Sequence, residues 1–262
     1  YEGKPVRTPD AGSIWRICAE YGVKVFFTAP TAFRAVRKED PQAWEIAKYD
    51  LSKLERIYQA GERLDPATYD WLHQNTGLPI LDHWWQTETG WAIAGNPAGI
   101  ELLPVRPGSA TVAIPGYQIA VMDEYGEQLA AGEEGNIALK LPLPPGCMST
   151  IWQDHQRLYD SYLSTYPGYY LTGDECYLCE DGYLFVMGRA DDVINVAGHR
   201  LSTGQMEEIV AGHPAVAECA VFGRADELKG QVPMGLVVIK DGTDISETDL
   251  AGELRTMARD KI

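Results

Sequence analysis

The sequence predicts a mixed fold, in which a parallel α/β layer is followed by a β-rich part and a compact α+β tail. Up to about residue 85, short apolar segments alternate with amphipathic ones, which is typical of parallel strands joined by helices. Beyond residue 105, strand-like segments follow one another through turn residues with little helical signal. Helical and strand patterns return together after residue 192, which indicates a separate small domain.

The first layer is predicted from the spacing of its apolar residues. Asp10 can cap a first helix, and Pro30 suits the first turn of a second. Helices of this length between strands favour parallel pairing. The predicted helices are Ala11–Tyr21, Thr31–Arg37 and Pro66–Gln74, and the predicted strands are Val23–Thr28, Leu54–Ala60 and Leu78–Trp85.

The second half is predicted from alternation and from turn residues. Strands are expected at 113–122, 134–141, 169–171, 175–179 and 183–187, with a rigid proline-rich connector at Leu141–Gly146 and a hairpin turn at Asp181-Gly182. The tail is expected to hold a helix at 204–212, strands at 216–222 and 232–239, and a last helix from Ser246. A boundary near Arg189–Asp192 gives predicted domains 1–189 and 190–262.

Composition narrows the class of protein. The 262 residues carry 38 acidic and 22 basic side chains, a net charge of -16, which argues against a partner with a phosphate backbone. No apolar run of the roughly 18 residues needed to span a bilayer occurs, so no membrane partner is expected. Five scattered cysteines suit a reducing compartment, hence a cytoplasmic protein. The sequence does not indicate an oligomeric state.

The two ends of the chain predict that it is a piece of something longer. The first residue is Tyr1 rather than Met, and the last residues stop inside a helical pattern.

Three segments are dense in polar groups that no apolar core requires. They are Asp82–Trp91 (DHWWQTETGW), Tyr170–Asp174 (YLTGD) and Gly188–Arg200 (GRADDVINVAGHR). The first leaves a buried strand and enters a loop, at the edge where open α/β sheets bind ligands. A binding or catalytic site is therefore expected from these segments.

These segments, in this order, resemble the adenylate-forming superfamily of acyl-CoA synthetases, luciferases and peptide-synthetase adenylation domains. Ala29-Pro30-Thr31 and Gly61-Glu62-Arg63 fall in register with them, so the resemblance extends over essentially the whole chain. Within the superfamily, Trp84-Trp85, the Leu141–Gly146 connector and Val193–Arg200 look most like short-chain acyl-CoA synthetases. The sequences Ala60-Gly61-Glu62 and Asp82–Trp85 look most like those of propionyl-CoA synthetases.

The resemblance implies the C-terminal part of the large adenylate-forming domain, followed by a small mobile domain. It implies a ligase that joins an acid to a thiol in two steps. A carboxylate attacks the α-phosphate of ATP to give acyl-AMP and pyrophosphate, and the thiol of coenzyme A then displaces AMP. Both steps build up negative charge, so the site needs fixed donors and a cation, here Mg²⁺.

Four residues receive roles in nucleotide chemistry from the resemblance. The Thr87 hydroxyl would contact the α-phosphate, and Glu88 would help to hold Mg²⁺, which prefers oxygen ligands. Asp174 would bind both ribose hydroxyls, and Arg189 would contact the ribose or a phosphate. The adenine would be lined by Gly61, Glu62 and Arg63, and enclosed by Trp84 with its neighbours Asp82, His83 and Gln86.

Two residues are expected to select the acid. Trp85 would form the floor of the acyl pocket and block long chains. Ala60 leaves room that a valine would fill, and a methylene of this kind is worth about 1–3 kcal/mol in discrimination. Propionate is therefore favoured over acetate, with an acetyl-CoA synthetase as the alternative.

The small domain is expected to move between the two steps. The resemblance makes Asp191 its hinge, and it places Gly198 and Ala29 beside the channel for coenzyme A. Arg200 would face the active site, and Arg259 would contact a phosphate of coenzyme A.

Simpler interpretations stay open for several of these residues. Taken alone, Trp84-Trp85 is typical of a half-buried strand, and Glu88 of a surface carboxylate. His83 and His199 are more typical of structural than of catalytic histidines, because no partner carboxylate or nucleophile is evident. The family's phosphate loop and its adenylation lysine are not found in the sequence, so the 262-residue chain alone is expected to be inactive. A non-catalytic nucleotide- or CoA-binding module is the other alternative.

Overall fold

The computed structural model describes residues 6, 8–196, 199–226, 228–240 and 242–261, apart from the side chains of 191, 195, 199 and 200. The chain divides into two compact units, which are described separately. The first runs to Thr172 and includes Cys176–Val186; the second consists of Gly173–Glu175 and the residues from Met187 on.

The first unit begins with a parallel α/β layer, as predicted. Strands β1, β2 and β3 pair in that order and in parallel. Two helices begin with a proline in their first turn, and the Asp65 side chain caps the third helix by accepting from the Thr68 amide at 2.9 Å. The elements are α1 (Ser13–Glu20), β1 (Val25–Thr28), α2 (Pro30–Glu39), β2 (Arg56–Gln59), α3 (Pro66–Thr76) and β3 (Ile80–Asp82).

The core of this layer lies between the helices and the parallel sheet. Trp15 of α1 and Phe33 of α2 are fully buried and stack with ring centroids 6.4 Å apart. Ile57 of β2 and Leu72 of α3 complete the same cluster. Burial of each such side chain contributes about 1.5–3 kcal/mol to folding stability. This cluster therefore stabilises the strands that lead into the polar segments.

The predicted strand Leu78–Trp85 is two strands in two sheets. Strand β3 ends at Asp82, and β4 (Trp84–Trp85) pairs instead with β5 (Ala92–Gly95) in an antiparallel sheet that also holds β6 (Val112–Ala113). His83 lies at the change of partner, and its amide still donates to the Gln59 carbonyl at 3.1 Å. Neither the apolar residues of this segment nor the interposed Asp82 and His83 reveal where a strand exchanges one partner for another, so the sequence did not predict this break.

A four-stranded sheet, ordered β10-β9-β8-β7, forms the β-rich part. Its strands are β7 (Ile119–Met122), β8 (Gly135–Lys140), β9 (Tyr169–Leu178) and β10 (Leu184–Arg189). The two strands predicted at 169–171 and 175–179 are one strand, because Gly173 adopts a φ of 73° inside it without ending the pairing. Between β8 and β9, the short helix α4 (His155–Leu158) continues directly into a π-helical turn, Tyr159–Leu163.

The second unit has the predicted α+β character. Its sheet is ordered β12-β11-β14-β13, and helix α5 begins at a cap in which Ser202 Oγ accepts from the Gln205 amide at 3.2 Å. Val210 and Leu254 pack the two helices together in its core. The elements are β11 (Val193–Val196), β12 (His199–Ser202), α5 (Thr203–Ala211), β13 (Val216–Asp226), β14 (Gly230–Ile239) and α6 (Glu247–Lys261). Throughout the described part of the chain, no helix is both long and apolar enough to cross a membrane.

Candidate active site

The polar segment after β4 forms a tightly pinned turn. Thr87–Thr89 is a single 3-10 turn, and Gly90 leaves it with a φ of 70°. The buried Thr89 hydroxyl accepts from the Gln86 amide at 3.2 Å and lies 2.9 Å from the Gln86 carbonyl, to which it donates. This arrangement closes the turn on itself, leaves Thr87 exposed and leaves Glu88 half-buried. A hydroxyl and a carboxylate thereby lie on neighbouring residues of one hydrogen-bonded turn.

Two tyrosines hold the side chains of this turn from the other side. The Tyr162 hydroxyl donates to Glu88 Oε1 at 3.1 Å, and the Tyr170 hydroxyl donates to Gln86 Oε1 at 3.3 Å. Gln86 Nε2 donates in turn to the Thr172 carbonyl at 2.7 Å. Sequence reasoning missed Tyr162, because nothing in the local pattern signals a partner 74 positions away in the chain.

The carboxyl ends of β2 and β3 bring together the segment predicted to line the adenine. Ala60 is buried, and its amide donates to the Thr28 carbonyl at 3.1 Å, while Gly61 follows with a φ of 111° that favours glycine. Glu62 turns toward α2, where Thr31 and Arg34 both donate to its carboxylate. Glu62 therefore holds the start of this loop against the second helix.

Arg63 and Asp82 lie in the same region. Residue 108 is glycine with a φ of 79°, and the Arg63 guanidinium packs where a Cβ would otherwise be. Burial raises the pKa of Asp82 to about 7, and the Leu64 backbone and the positive charge of Arg63 act in the opposite direction. Near neutral pH the Asp82 carboxyl is therefore present in both its protonated and its ionised form.

His83 sits in an aromatic cluster. Its ring stacks on Phe27 at a centroid distance of 5.1 Å, with Tyr58 edge-on at 5.5 Å and Trp91 at 6.0 Å. Burial lowers the pKa of His83, which favours the neutral ring. This environment agrees with the structural interpretation of His83 more than with an acid-base role.

The two neighbouring tryptophans face different surroundings. Trp84 is half-buried and packs against the core cluster of the β-rich part, whereas Trp85 is 39% exposed. The alternation of side chains along a strand produces this difference. Ala29, predicted to border the channel for coenzyme A, is half-buried at the junction of β1 and α2.

In the second unit, the structure brings Asp174 and Arg189 together. Asp174 is buried, Arg189 is half-exposed, and Arg189 Nη1 lies 3.9 Å from Asp174 Oδ1. A Cβ on residue 173 would lie 2.9 Å from Arg189 Nη2, so Gly173 gives the guanidinium its space. A carboxylate beside a permanent cation can bind a polyhydroxylated, negatively charged ligand.

The remaining predicted site residues also belong to the second unit. Arg259 is exposed near the end of α6. The backbone of Asp191 lies in a 3-10 turn, Ala190–Asp192, and that of Arg200 in β12, but their side chains lie outside the described part. Gly198 also lies outside the described residues.

Comparison with protein families explains why these features occur together. The model of the AMP-binding enzyme family matches residues 3–152, more than half of the 262 residues, and that of the AMP-binding enzyme C-terminal domain matches residues 205–262. The chain belongs to the AMP-binding enzyme family. The adenylate-forming resemblance predicted from the sequence is thereby confirmed.

Curated members of the AMP-binding enzyme family match along the whole chain. The chain is 46% identical to the mitochondrial acyl-CoA synthetase short-chain family member 3 of Mus musculus, over 100% of the chain and 39% of that protein. It is 44% identical to the propionate–CoA ligase of Escherichia coli K12, over 96% of the chain and 40% of that protein. The chain thus spans about two fifths of the length of these relatives.

A solved structure of an AMP-binding enzyme matches as well. The anthranilate CoA ligase AuaEII, in complex with anthranoyl-AMP, superposes with a TM-score of 0.76 at 26% sequence identity. The match covers 96% of this chain and 46% of that one. The predicted fold class is confirmed by this neighbour.

The sequence resemblance predicts a magnesium ion, and the pinned turn offers one carboxylate, that of Glu88, as a protein ligand for it. Among the described residues, no group of three or more histidine, cysteine or acidic side chains could hold a metal ion. Glu88 therefore does not belong to a group of three or more such ligands within that part of the chain. Mg²⁺ at phosphate-transfer sites is usually held by one or two carboxylates together with water and substrate phosphates, so one oxygen donor beside an exposed hydroxyl suits it.

Proposed function

We propose that the protein containing this chain activates a short-chain carboxylate with ATP and transfers the acyl group to coenzyme A. The observation that carries the proposal is the pinned turn, which presents the Thr87 hydroxyl and the Glu88 carboxylate together after β4. The names of two relatives, a short-chain acyl-CoA synthetase and a propionate–CoA ligase, support the same reaction class.

In the first step, a carboxylate oxygen of the acid bonds to the α-phosphorus of ATP, and pyrophosphate leaves. Thr87 donates its hydroxyl to a non-bridging oxygen of that phosphate, where charge grows in the transition state. Glu88 supplies an oxygen ligand for Mg²⁺. When bound, Mg²⁺ neutralises the phosphate charge and favours departure of pyrophosphate.

Nucleotide recognition is assigned to two groups of residues, each within one unit. In the first, Gly61, Glu62, Arg63 and Asp82 line the adenine, together with His83, Trp84 and Gln86. In the second, Asp174 accepts from the two ribose hydroxyls and Arg189 binds the ribose or a phosphate. The buried carboxylate of Asp174 and the adjacent guanidinium support this assignment.

Propionate is the proposed acid. Ala60 is buried directly after β2, where a larger side chain would take up space. We assign Trp85 to the floor of the acyl pocket. An extra methylene in an apolar pocket is worth about 1–3 kcal/mol, so a small residue at this position favours propionate over acetate.

In the second step, the sulfur of coenzyme A bonds to the acyl carbon and AMP leaves. We assign Ala29 and Gly198 to the path of the pantetheine arm, Arg200 to the active site, Arg259 to a phosphate of coenzyme A and Asp191 to the hinge. A boundary between domains 1–189 and 190–262 remains part of the same proposal, as does a cytoplasmic location.

The proposal is tested by pyrophosphate exchange into ATP, measured with the full-length protein, Mg²⁺ and either propionate or acetate. We expect exchange that depends on the acid and is faster with propionate, and formation of propionyl-CoA when coenzyme A is added. Binding of ATP without exchange for any short acid would instead indicate a non-catalytic nucleotide-binding module. We expect no exchange from the 262-residue chain alone, because the phosphate loop and the adenylation lysine of the family are not found in it.

A further inference from the structure

The two tyrosines behind the pinned turn form one stacked unit. The Tyr162 and Tyr170 rings lie 5.2 Å apart between centroids and within 5° of parallel. Each hydroxyl donates to a different side chain of the turn, Tyr162 to Glu88 and Tyr170 to Gln86. The stack thereby fixes the spacing of its two hydroxyls. Through their hydrogen bonds it also restrains the side chains of Glu88 and Gln86.

The stack is itself firmly supported. Tyr170 is buried in the core cluster of the β-rich part, and Tyr162 packs against the same cluster. Tyr162 belongs to the π-helical turn Tyr159–Leu163, and π-helical turns are rare and frequent at functional sites. The core cluster of the β-rich part therefore holds the Tyr162 hydroxyl within hydrogen-bonding distance of Glu88.

The effect on Glu88 follows from side-chain freedom. A half-buried glutamate samples several rotamers, and ordering such a side chain costs conformational entropy. The hydrogen bond from Tyr162 restrains Oε1 before any ligand binds. Because the acceptor carries a charge, this hydrogen bond is stronger than one between neutral groups.

We propose that Tyr162, supported by Tyr170, is a positioning residue that orients the Glu88 carboxylate for Mg²⁺ bound with ATP. This inference rests on the proposed function, since it assigns the carboxylate to the metal. Tyr162 touches neither substrate in this scheme and acts through Glu88 alone. Loss of such an outer partner typically weakens metal binding or activity by about 10–100-fold.

The decisive variant is Tyr162→Phe, which keeps the stacked ring and removes only the hydroxyl. Calorimetric titration of the full-length protein with ATP, in Mg²⁺ and in EDTA, separates the affinity for MgATP from the affinity for metal-free ATP. We expect the affinity for MgATP to fall by about 10-fold or more and that for metal-free ATP to stay unchanged. Tyr159→Phe, an exposed tyrosine in the same π-helical turn, is the matched control and should change neither.

A double-mutant cycle shows whether Tyr162 acts through Glu88. In a Glu88→Gln background, Tyr162→Phe should cause little further loss of MgATP affinity, because the group it orients is already gone. Full additivity would overturn the inference. So would equal losses of affinity in Mg²⁺ and in EDTA, or an unchanged affinity for MgATP. An active wild-type protein with any of these results would leave the proposed function standing, whereas a wild-type protein without exchange activity would remove that function and the inference with it.

Discussion

A Cβ atom on residue 108 would lie 2.5 Å from Nε of Arg63, so Gly108 is the residue that admits the Arg63 guanidinium. The two positions are far apart in the sequence, and Gly108 adopts a φ of 79° that only glycine adopts readily. Arg63, which is assigned to the adenine, thus depends for its space on a glycine that is distant in the sequence.

Gly108→Ala should destabilise the protein and displace Arg63. The left-handed backbone costs a residue with a side chain about 1–2 kcal/mol, and the new methyl adds a clash. Thermal unfolding of the full-length variant should show a lower Tm, and its KM for ATP should rise. Gly99→Ala is the control, because nothing lies within 4 Å of a Cβ there and its φ is outside the left-handed region. Equal effects of the two substitutions would contradict the role of Gly108.

Asp82 should make stability depend on pH. Its folded pKa of about 7 lies above the ordinary value of 3.8, so the folded protein keeps a proton that the unfolded chain releases. As the pH rises from about 4 to about 7, the free energy of unfolding therefore decreases, and above pH 7 this contribution levels off. Asp82→Asn removes the titration, so the variant should gain stability over the wild type by up to a few kcal/mol across that window.

Urea unfolding of full-length Asp82→Asn and wild type at pH 5 and pH 7.5 measures this difference. Asp70→Asn, an exposed carboxylate on α3, serves as the control for loss of a charge. A stability difference that is the same at both pH values would show that Asp82 does not titrate in this range.

Asp174→Asn should weaken the binding of ATP and leave the binding of the carboxylic acid substrate unchanged. A charged acceptor typically contributes about 1.5–3 kcal/mol per hydrogen bond, which corresponds to roughly 10–100-fold in KM for ATP. The KM for propionate should change little, because the proposed contact of Asp174 is to the ribose and not to the acid. Initial-rate kinetics with both substrates test this, with the exposed Glu180→Gln as the control. Parallel rises in both KM values would argue for a general distortion of the site instead.

Ala60→Val should reverse the preference between propionate and acetate. Ala60 is buried, so the two additional methyl groups of a valine must take up interior space, which we assign to the acyl pocket. We expect the ratio of kcat/KM values to move toward acetate by about 10–200-fold. Ala67→Val, on the exposed side of α3, should leave the ratio unchanged. An unchanged ratio for Ala60→Val would place the specificity determinant elsewhere.

The sequence predicted the fold class because its signals are local. A proline in the first turn, such as Pro30, and alternating apolar residues each act over a few positions. What could not be predicted depends on partners distant in sequence. The exchange of sheets at His83 and the single strand Tyr169–Leu178 were misjudged because pairing, and not composition, decides them.

The candidate site divides in the same way. Thr87 and Glu88 were recognisable from their motif, and the structure adds that they lie on one pinned turn. Tyr162 could not be recognised, because its proposed role follows from a π-helical turn and from stacking on Tyr170. Arg63 was predicted from its motif to line the adenine, but its dependence on Gly108 needs three-dimensional proximity.

The contrast between Trp84 and Trp85 has a consequence for how this protein can evolve. The half-buried Trp84 packs against the core of the β-rich part, so its replacement would cost folding stability, whereas Trp85 is 39% exposed and supports little of that core. Substitutions at Trp85 should therefore be nearly neutral for folding, while they would reshape the acyl pocket if Trp85 forms its floor as proposed. A lineage, or a laboratory library, can explore acids of new length at that position without first acquiring compensating mutations.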